Sequence, residues 1–210
     1  AKIARVAAHG NSQTVSRELA MRLAVVLFNL GGPDRPESVE PFLANLFSDP
    51  AIIALPGLLR LPLARLIARR RAPIAQKIYA QLGGGSPLRA NTEAQSRALE
   101  AALTTRGHKA RCYAVMRYWK PRAPEMADFV RGFAPEARVL LPLYPQYSTT
   151  TTASSLADWR AAAKAAGLEA PTRTICCYPE DPGFVAAMAA LIAPRLDEAG
   201  PGARLLFSAH

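Results

Sequence analysis

Five short apolar runs, at residues 23–29, 110–116, 138–143, 172–177 and 204–210, alternate along this chain with stretches of helical spacing. That alternation constrains the fold more than any single motif. Consecutive strands separated by helices cannot pair as hairpins, and the arrangement that buries every apolar run is a parallel sheet with helices on both faces. The first run, Leu-Ala-Val-Val-Leu-Phe-Asn, has no polar residue before its end, as a strand covered on both faces requires. Helical spacing is predicted over 38–47, 92–106, 124–132, 154–166 and 182–199, with Thr92 as a cap, Gln95 three residues on and Gly167 closing the fourth. The expected class is therefore α/β. Residues 22–170 form a first unit and 171–210 open a second whose remainder lies outside this sequence. Residues 1–21 carry no apolar signal core and read as an extension outside the fold.

In open parallel sheets, ligands collect beyond the carboxyl ends of the strands. Leu30, Arg117 with Tyr118, and Tyr144 with Ser148 follow three predicted strands, and His210 ends the fifth. An apolar residue, two tyrosines, a cation and an imidazole suit a large, flat, apolar ligand with a polar edge. Strand-end tyrosines also pack with their hydroxyls in water, and a strand-end histidine serves equally as base, metal ligand or structural donor.

The net charge of +10 is localised: between Asp49 and Glu93 there is no acid, while Arg60, Arg65, Arg69, Arg70, Arg71, Lys77 and Arg89 are all basic. Such a patch attracts nucleic acid, an anionic membrane surface or a carboxylate-bearing ligand. Aromatic residues for base stacking are nearly absent from it, which counts against nucleic acid. Residues 51–71 are apolar and basic and are interrupted by Pro56 and Pro62, so they read as an interfacial segment or as a helical hairpin over the core, not as a bilayer span. Gly83-Gly84-Gly85-Ser86 reads as an anion cradle or a tight turn. No nucleotide fingerprint is present. Three cysteines, of which adjacent Cys176 and Cys177 are poorly placed to bridge to each other, point to a reducing, cytosolic compartment.

Leu30-Gly31-Gly32-Pro33, Phe42-Leu43 through Pro56-Gly57, Arg69-Arg70-Arg71, Gly83-Gly84-Gly85-Ser86-Pro87, Met116-Arg117-Tyr118, Tyr144-Pro145-Gln146-Tyr147-Ser148 with the following threonines, and Phe207-Ser208-Ala209-His210 together resemble the ferrochelatases, enzymes that insert ferrous iron into a porphyrin. The resemblance implies two Rossmann-like domains of chelatase type with the porphyrin between them. It implies His210 as the active-site histidine, as proton acceptor or as metal ligand. Leu30 would lie over the macrocycle face, Arg70, Arg71, Tyr79 and Ser86 at the propionate edge, and Arg117, Tyr118, Tyr144 and Ser148 along the pocket wall. The family lysine after the Arg-Arg-x-Pro turn is Ile74 here.

The family needs ferrous iron as substrate and no nucleotide cofactor. Some members carry a [2Fe-2S] cluster, but the animal-type cysteine position is Thr149, which leaves any cluster to residues outside this sequence. The implied activity is formation of protoheme from protoporphyrin IX, with a coproporphyrin enzyme or a non-catalytic tetrapyrrole-binding module as alternatives. The implied setting is cytoplasmic, peripheral on the inner face of the membrane, with porphyrin and ferrous iron as partners and no nucleic acid. The sequence is expected to be a part that ends before the second catalytic group.

Overall fold

The computed structural model describes residues 21–207. The extension through residue 20, and Ser208, Ala209 and His210, lie outside the described residues. Four parallel strands form one sheet: β1 (Arg22–Asn29), β2 (Lys109–Met116), β3 (Ala137–Pro142) and β4 (Thr172–Thr174), in the order β2-β1-β3-β4. Six α-helices accompany them among the described residues: α1 (Val39–Phe47), α2 (Gly57–Ala80), α3 (Leu88–Thr105), α4 (Ala123–Phe133), α5 (Ser154–Ala165) and α6 (Pro182–Ala199). The α/β class read from the alternation is the one observed.

β1 is central. Leu23 pairs with Ala110 on one side and Ala137 on the other, and Phe28 with Val115 and Pro142. Ala24 through Phe28 are at most 3% exposed, which is why that run tolerates no polar residue. On one face Val26, Phe28, Val115 and Leu140 pack under α4 and α5, with Phe28 edge-on to Trp159 at 5.8 Å. A second cluster, of Val39, Phe42, Leu43, Ala68, Ala72 and Tyr118, fills the space between α1 and α2. Small alanines on α2 let the two helices approach closely.

The structure departs from the expected elements at five places. The segment expected to break at Pro62 is a single 24-residue helix that runs through Pro62 and Pro73 and has Pro56 at its cap. Both internal prolines are exposed, and the carbonyls they leave unpaired, at Leu58 and Arg69, are on exposed residues too. Thr92 is not a cap. α3 starts at Leu88, and Thr92 is fully buried inside it, donating to Leu88 O at 2.8 Å and accepting from Asn29 Nδ2 at 3.1 Å.

The strand expected over 172–177 shortens to three residues and pairs with β3, so it is the fourth strand of this sheet. Cys176 and Cys177, expected as core residues, lie with their sulfurs against each other at the surface side of the sheet's end; Cys176 is half-buried and Cys177 exposed. Finally, residues 204–207 form no strand, and Leu206 and Phe207 are 87% and 83% exposed. An apolar run becomes a strand only with a ladder partner, and none lies beside it among the described residues.

Candidate functional site at the carboxyl edge of the sheet

Beyond their last paired residues the strands continue as a joined rim. Arg117 N donates to Asn29 O at 2.8 Å, Tyr118 N to Leu30 O at 2.9 Å, and Leu143 N to Phe28 O at 2.9 Å. These bonds bring the segments that follow β1, β2 and β3 side by side. Asn29 holds the first of them, accepting from Leu30 N through Oδ1 and donating to Thr92 through Nδ2.

Two glycine turns then interlock. Ser86 N donates to Pro33 O at 2.7 Å; a Cβ on Gly32 would meet the Ser86 side chain, and a Cβ on Gly85 would meet Asp34 O at 2.7 Å. Close backbone approach therefore explains the glycines directly. Ser86 Oγ is taken by Leu88 N, at 3.3 Å. Asp34 accepts from Ser38 Oγ and Trp119 Nε1, and the Ser38 bond outweighs burial in holding its carboxyl below the ordinary range.

Arg117 and Tyr118 follow β2, but their polar atoms turn toward a residue that sequence reading passed over. Arg117 Nη2 donates to Asp49 Oδ2 at 2.8 Å, Nε to Ser154 Oγ at 2.7 Å, and Nη1 lies 3.6 Å from Asp158 Oδ1. Tyr118 Oη donates to the same Asp49 oxygen at 2.8 Å, and Ser154 Oγ donates to it as well. Asp49 is 4% exposed and Tyr118 0%. Burial works against the Asp49 charge, yet the donors from Ser154, Ala51 N, Tyr118 and Arg117 prevail and hold its carboxyl below its ordinary range. Burial, with the Asp49 charge adding to it, pushes the Tyr118 phenol up to about 12. Tyr118 thus contributes to the rim from behind, as part of the packed cluster.

The other residues singled out in the sequence are placed as follows. Leu30 and Tyr79 are half-buried against the α1/α2 cluster, and burial raises the Tyr79 phenol. Tyr144 packs on the sheet's main core with its hydroxyl 3.3 Å from Ser155 Oγ, and desolvation raises its pKa. Ser148 caps the short π-helical turn Thr149–Ala153, its Oγ 2.9 Å from Thr150 Oγ1. Arg70 is exposed; Arg71, also exposed, lies 6.0 Å from the Phe47 ring centroid. His210 is outside the described residues. A separate cavity of about 460 Å3, lined by Arg138, Trp159, Lys164 and Thr172, sits near the amino-terminal ends of β3 and β4 and contains none of these residues.

The described donors do not fit a [2Fe-2S] cluster. Thr149 offers no thiolate, Cys112, Cys176 and Cys177 are three cysteines where a cluster takes four ligands, and burial with the neighbouring Glu100 charge pushes the Cys112 thiol up to about 12.

A parallel β/α sheet with its polar, aromatic and glycine-rich segments gathered at the carboxyl edge defines a Rossmann-like ligand-binding domain. A sequence model of the ferrochelatase family matches residues 22–210. Curated ferrochelatases align with the chain at 58% identity over 194 residues in Phenylobacterium zucineum, 53% over 196 in Caulobacter vibrioides and 43% over 190 in Rickettsia bellii. These alignments cover 90%, 91% and 90% of this chain but 56%, 56% and 52% of the relatives, so the chain spans about half their length. The chain belongs to the ferrochelatase family.

Proposed function

We propose that the whole protein inserts ferrous iron into protoporphyrin IX to form protoheme, the last step of heme biosynthesis, and that residues 22–170 with the lip 51–71 supply one side of the porphyrin cleft. β4 (Thr172–Thr174) belongs to the first sheet, so in this reading the second domain opens after that strand and not at residue 171. The observation that carries this reading is the joined rim at the carboxyl edge, made by the same segments that resemble the family's blocks. Metallation replaces two pyrrole N–H protons with one Fe2+ and releases both protons. It therefore needs a proton acceptor effective near neutral pH and neither redox nor phosphoryl chemistry, and an imidazole meets that need.

In this reading His210 accepts a pyrrole proton, and a carboxylate beyond this sequence takes the second or receives the iron. Imidazole is also an acceptable Fe2+ ligand, so His210 serves metal delivery equally well in chemical terms. Leu30, Tyr144 and Ser148 line the macrocycle with Arg117 and Tyr118 behind them. Arg70, Arg71, Tyr79 and Ser86 meet its propionate edge.

The lip reading is supported by exposure on α2: Leu58 is 91% exposed, Leu59 62% and Leu61 46%, beside Arg60 and Arg65. Apolar side chains next to arginines suit the boundary of an anionic bilayer, which supports the proposal of a peripheral protein, on the cytoplasmic face in this reading. No helix among the described residues is long and apolar enough to cross a membrane.

The test is to mix full-length protein with protoporphyrin IX and Fe2+ under anaerobic conditions and follow the absorbance. Heme bands should replace free-porphyrin bands, and His210→Ala should abolish that change while porphyrin still binds. Binding without metallation by the unmodified protein would make it a tetrapyrrole-binding module. A strong preference for coproporphyrin would reassign the substrate.

A further inference from the structure

We propose that Asp49 is a positioning residue, a latch that fixes the start of α2 onto the floor made by β2 and α5. The proposal deepens the porphyrin reading above and rests on it for its catalytic consequence only.

The loop between α1 and α2 is organised around this one residue from two sides. Its main chain faces the loop: Asp49 O accepts from Ile52 N and Ile53 N, both at 3.0 Å, and Asp49 Oδ1 accepts from Ala51 N at 2.8 Å. Oδ2 of the same carboxylate reaches across the fold to Arg117, Tyr118 and Ser154, residues 68, 69 and 105 positions away. α2 closes the arrangement from above, since Arg60 donates from Nε to Ser48 O at 2.9 Å and from Nη1 to Leu55 O.

The first turns of α2 have little else to hold them. The helix buries only Ala64, Ala68 and Ala72, all beyond its second turn, and it packs chiefly on α1. A buried carboxylate with four donors, joined to α2 through the Arg60 bond to Ser48 O, is therefore the tether between residues 57–63 and the rim below. Removing its charge takes away the closer counter-ion of the Arg117 guanidinium and leaves it with Ser154 and the half-buried Asp158 at 3.6 Å, which destabilises this end of the fold. The consequence falls on where the lip stands over the crevice and so on how tightly porphyrin is held, with no effect on proton transfer.

The experiment uses the full-length protein with Asp49→Asn, and with Ser154→Ala as a milder variant that keeps the ion pair. In ligand-free protein, amide hydrogen exchange over residues 57–66 should quicken by about tenfold, the effect of losing one hydrogen bond to a charged group, while β1 amides keep their wild-type rates. In turnover with protoporphyrin IX and Fe2+, the porphyrin KM should rise with kcat unchanged. Wild-type exchange over 57–66 in both variants would overturn the latch. A fall in kcat at constant KM would overturn its assignment to porphyrin positioning. If the unmodified protein fails to metallate, the reaction reading fails, and the exchange measurement still decides the latch.

Discussion

Gly32→Ala is the sharpest probe of how the rim is assembled. The added methyl would stand 2.5 Å from both Cβ and Oγ of Ser86, about 0.9 Å inside the 3.4 Å at which ordinary contact begins, while Ser86 Cα is a comfortable 4.0 Å away. Ser86 cannot swing aside freely, because its N–H is bonded to Pro33 O at 2.7 Å, one residue from the substitution. Overpacking of this kind costs about 1 to 3 kcal/mol. The clash is confined to the Ser86 side chain, so Gly32→Ala combined with Ser86→Gly should recover stability to within about 1 kcal/mol, the entropic cost of a new glycine. Urea denaturation of the full-length protein gives the midpoints, and the double-mutant cycle gives the coupling. A single variant as stable as the parent, or a double variant no better than the single, would refute the interlocked-turn geometry.

The Asp49 network also predicts a pH dependence. Asp49 and Asp34 both have folded pKa values below the ordinary 3.8, so their stabilisation is fully present above about pH 4 and is lost as pH falls through the folded values. In acid titrations of unfolding, the limb below pH 4 should flatten in Asp49→Asn, and a limb identical to wild type would count against the pairing. On α2, Leu58→Ser with Leu59→Ser should release the protein from vesicles containing anionic lipid with no change in urea midpoint, because both side chains are more than half exposed. Retention on the vesicles after that substitution would remove the lip from the membrane reading.

What could be read from the chain, and what could not, divides along physical lines. The interior run 24–28 is legible because a strand covered on both faces admits only apolar residues, and the parallel order followed from the intervening helices. Thr92 was misplaced because a capping pattern is local, whereas its hydroxyl is used by Asn29, which is 63 residues away in sequence and brought close by the β1 crossover. Arg117 and Tyr118 were correctly set after β2, yet strand position does not determine side-chain direction. That is decided by Asp49, whose apolar surroundings in Leu-Phe-Ser-Asp-Pro-Ala-Ile-Ile were the only hint that an acid there would be buried. The run at 204–207 shows the converse limit: strand-like composition does not supply a ladder partner.

On the proposed function the basic stretch divides into two parts by length along one helix. Leu58 and Arg70 are 12 residues apart in α2, about 18 Å at 1.5 Å per residue. Lipid headgroups and porphyrin propionates are both anions, so charge alone cannot divide the arginines between them. Position does. The exposed leucines cluster in the first half of α2 with Arg60 and Arg65; Arg70, Arg71 and Tyr79 lie further along, where Ala72 packs on α1 and against the rim, although Ile74 and Ile78 are exposed there too. Arg60 is further committed to the carbonyls of Ser48 and Leu55. The proposed membrane and porphyrin-edge roles are thus compatible in one helix, and the proposed latch would join them where Asp49 ties the loop before α2 to Arg117, Tyr118 and Ser154.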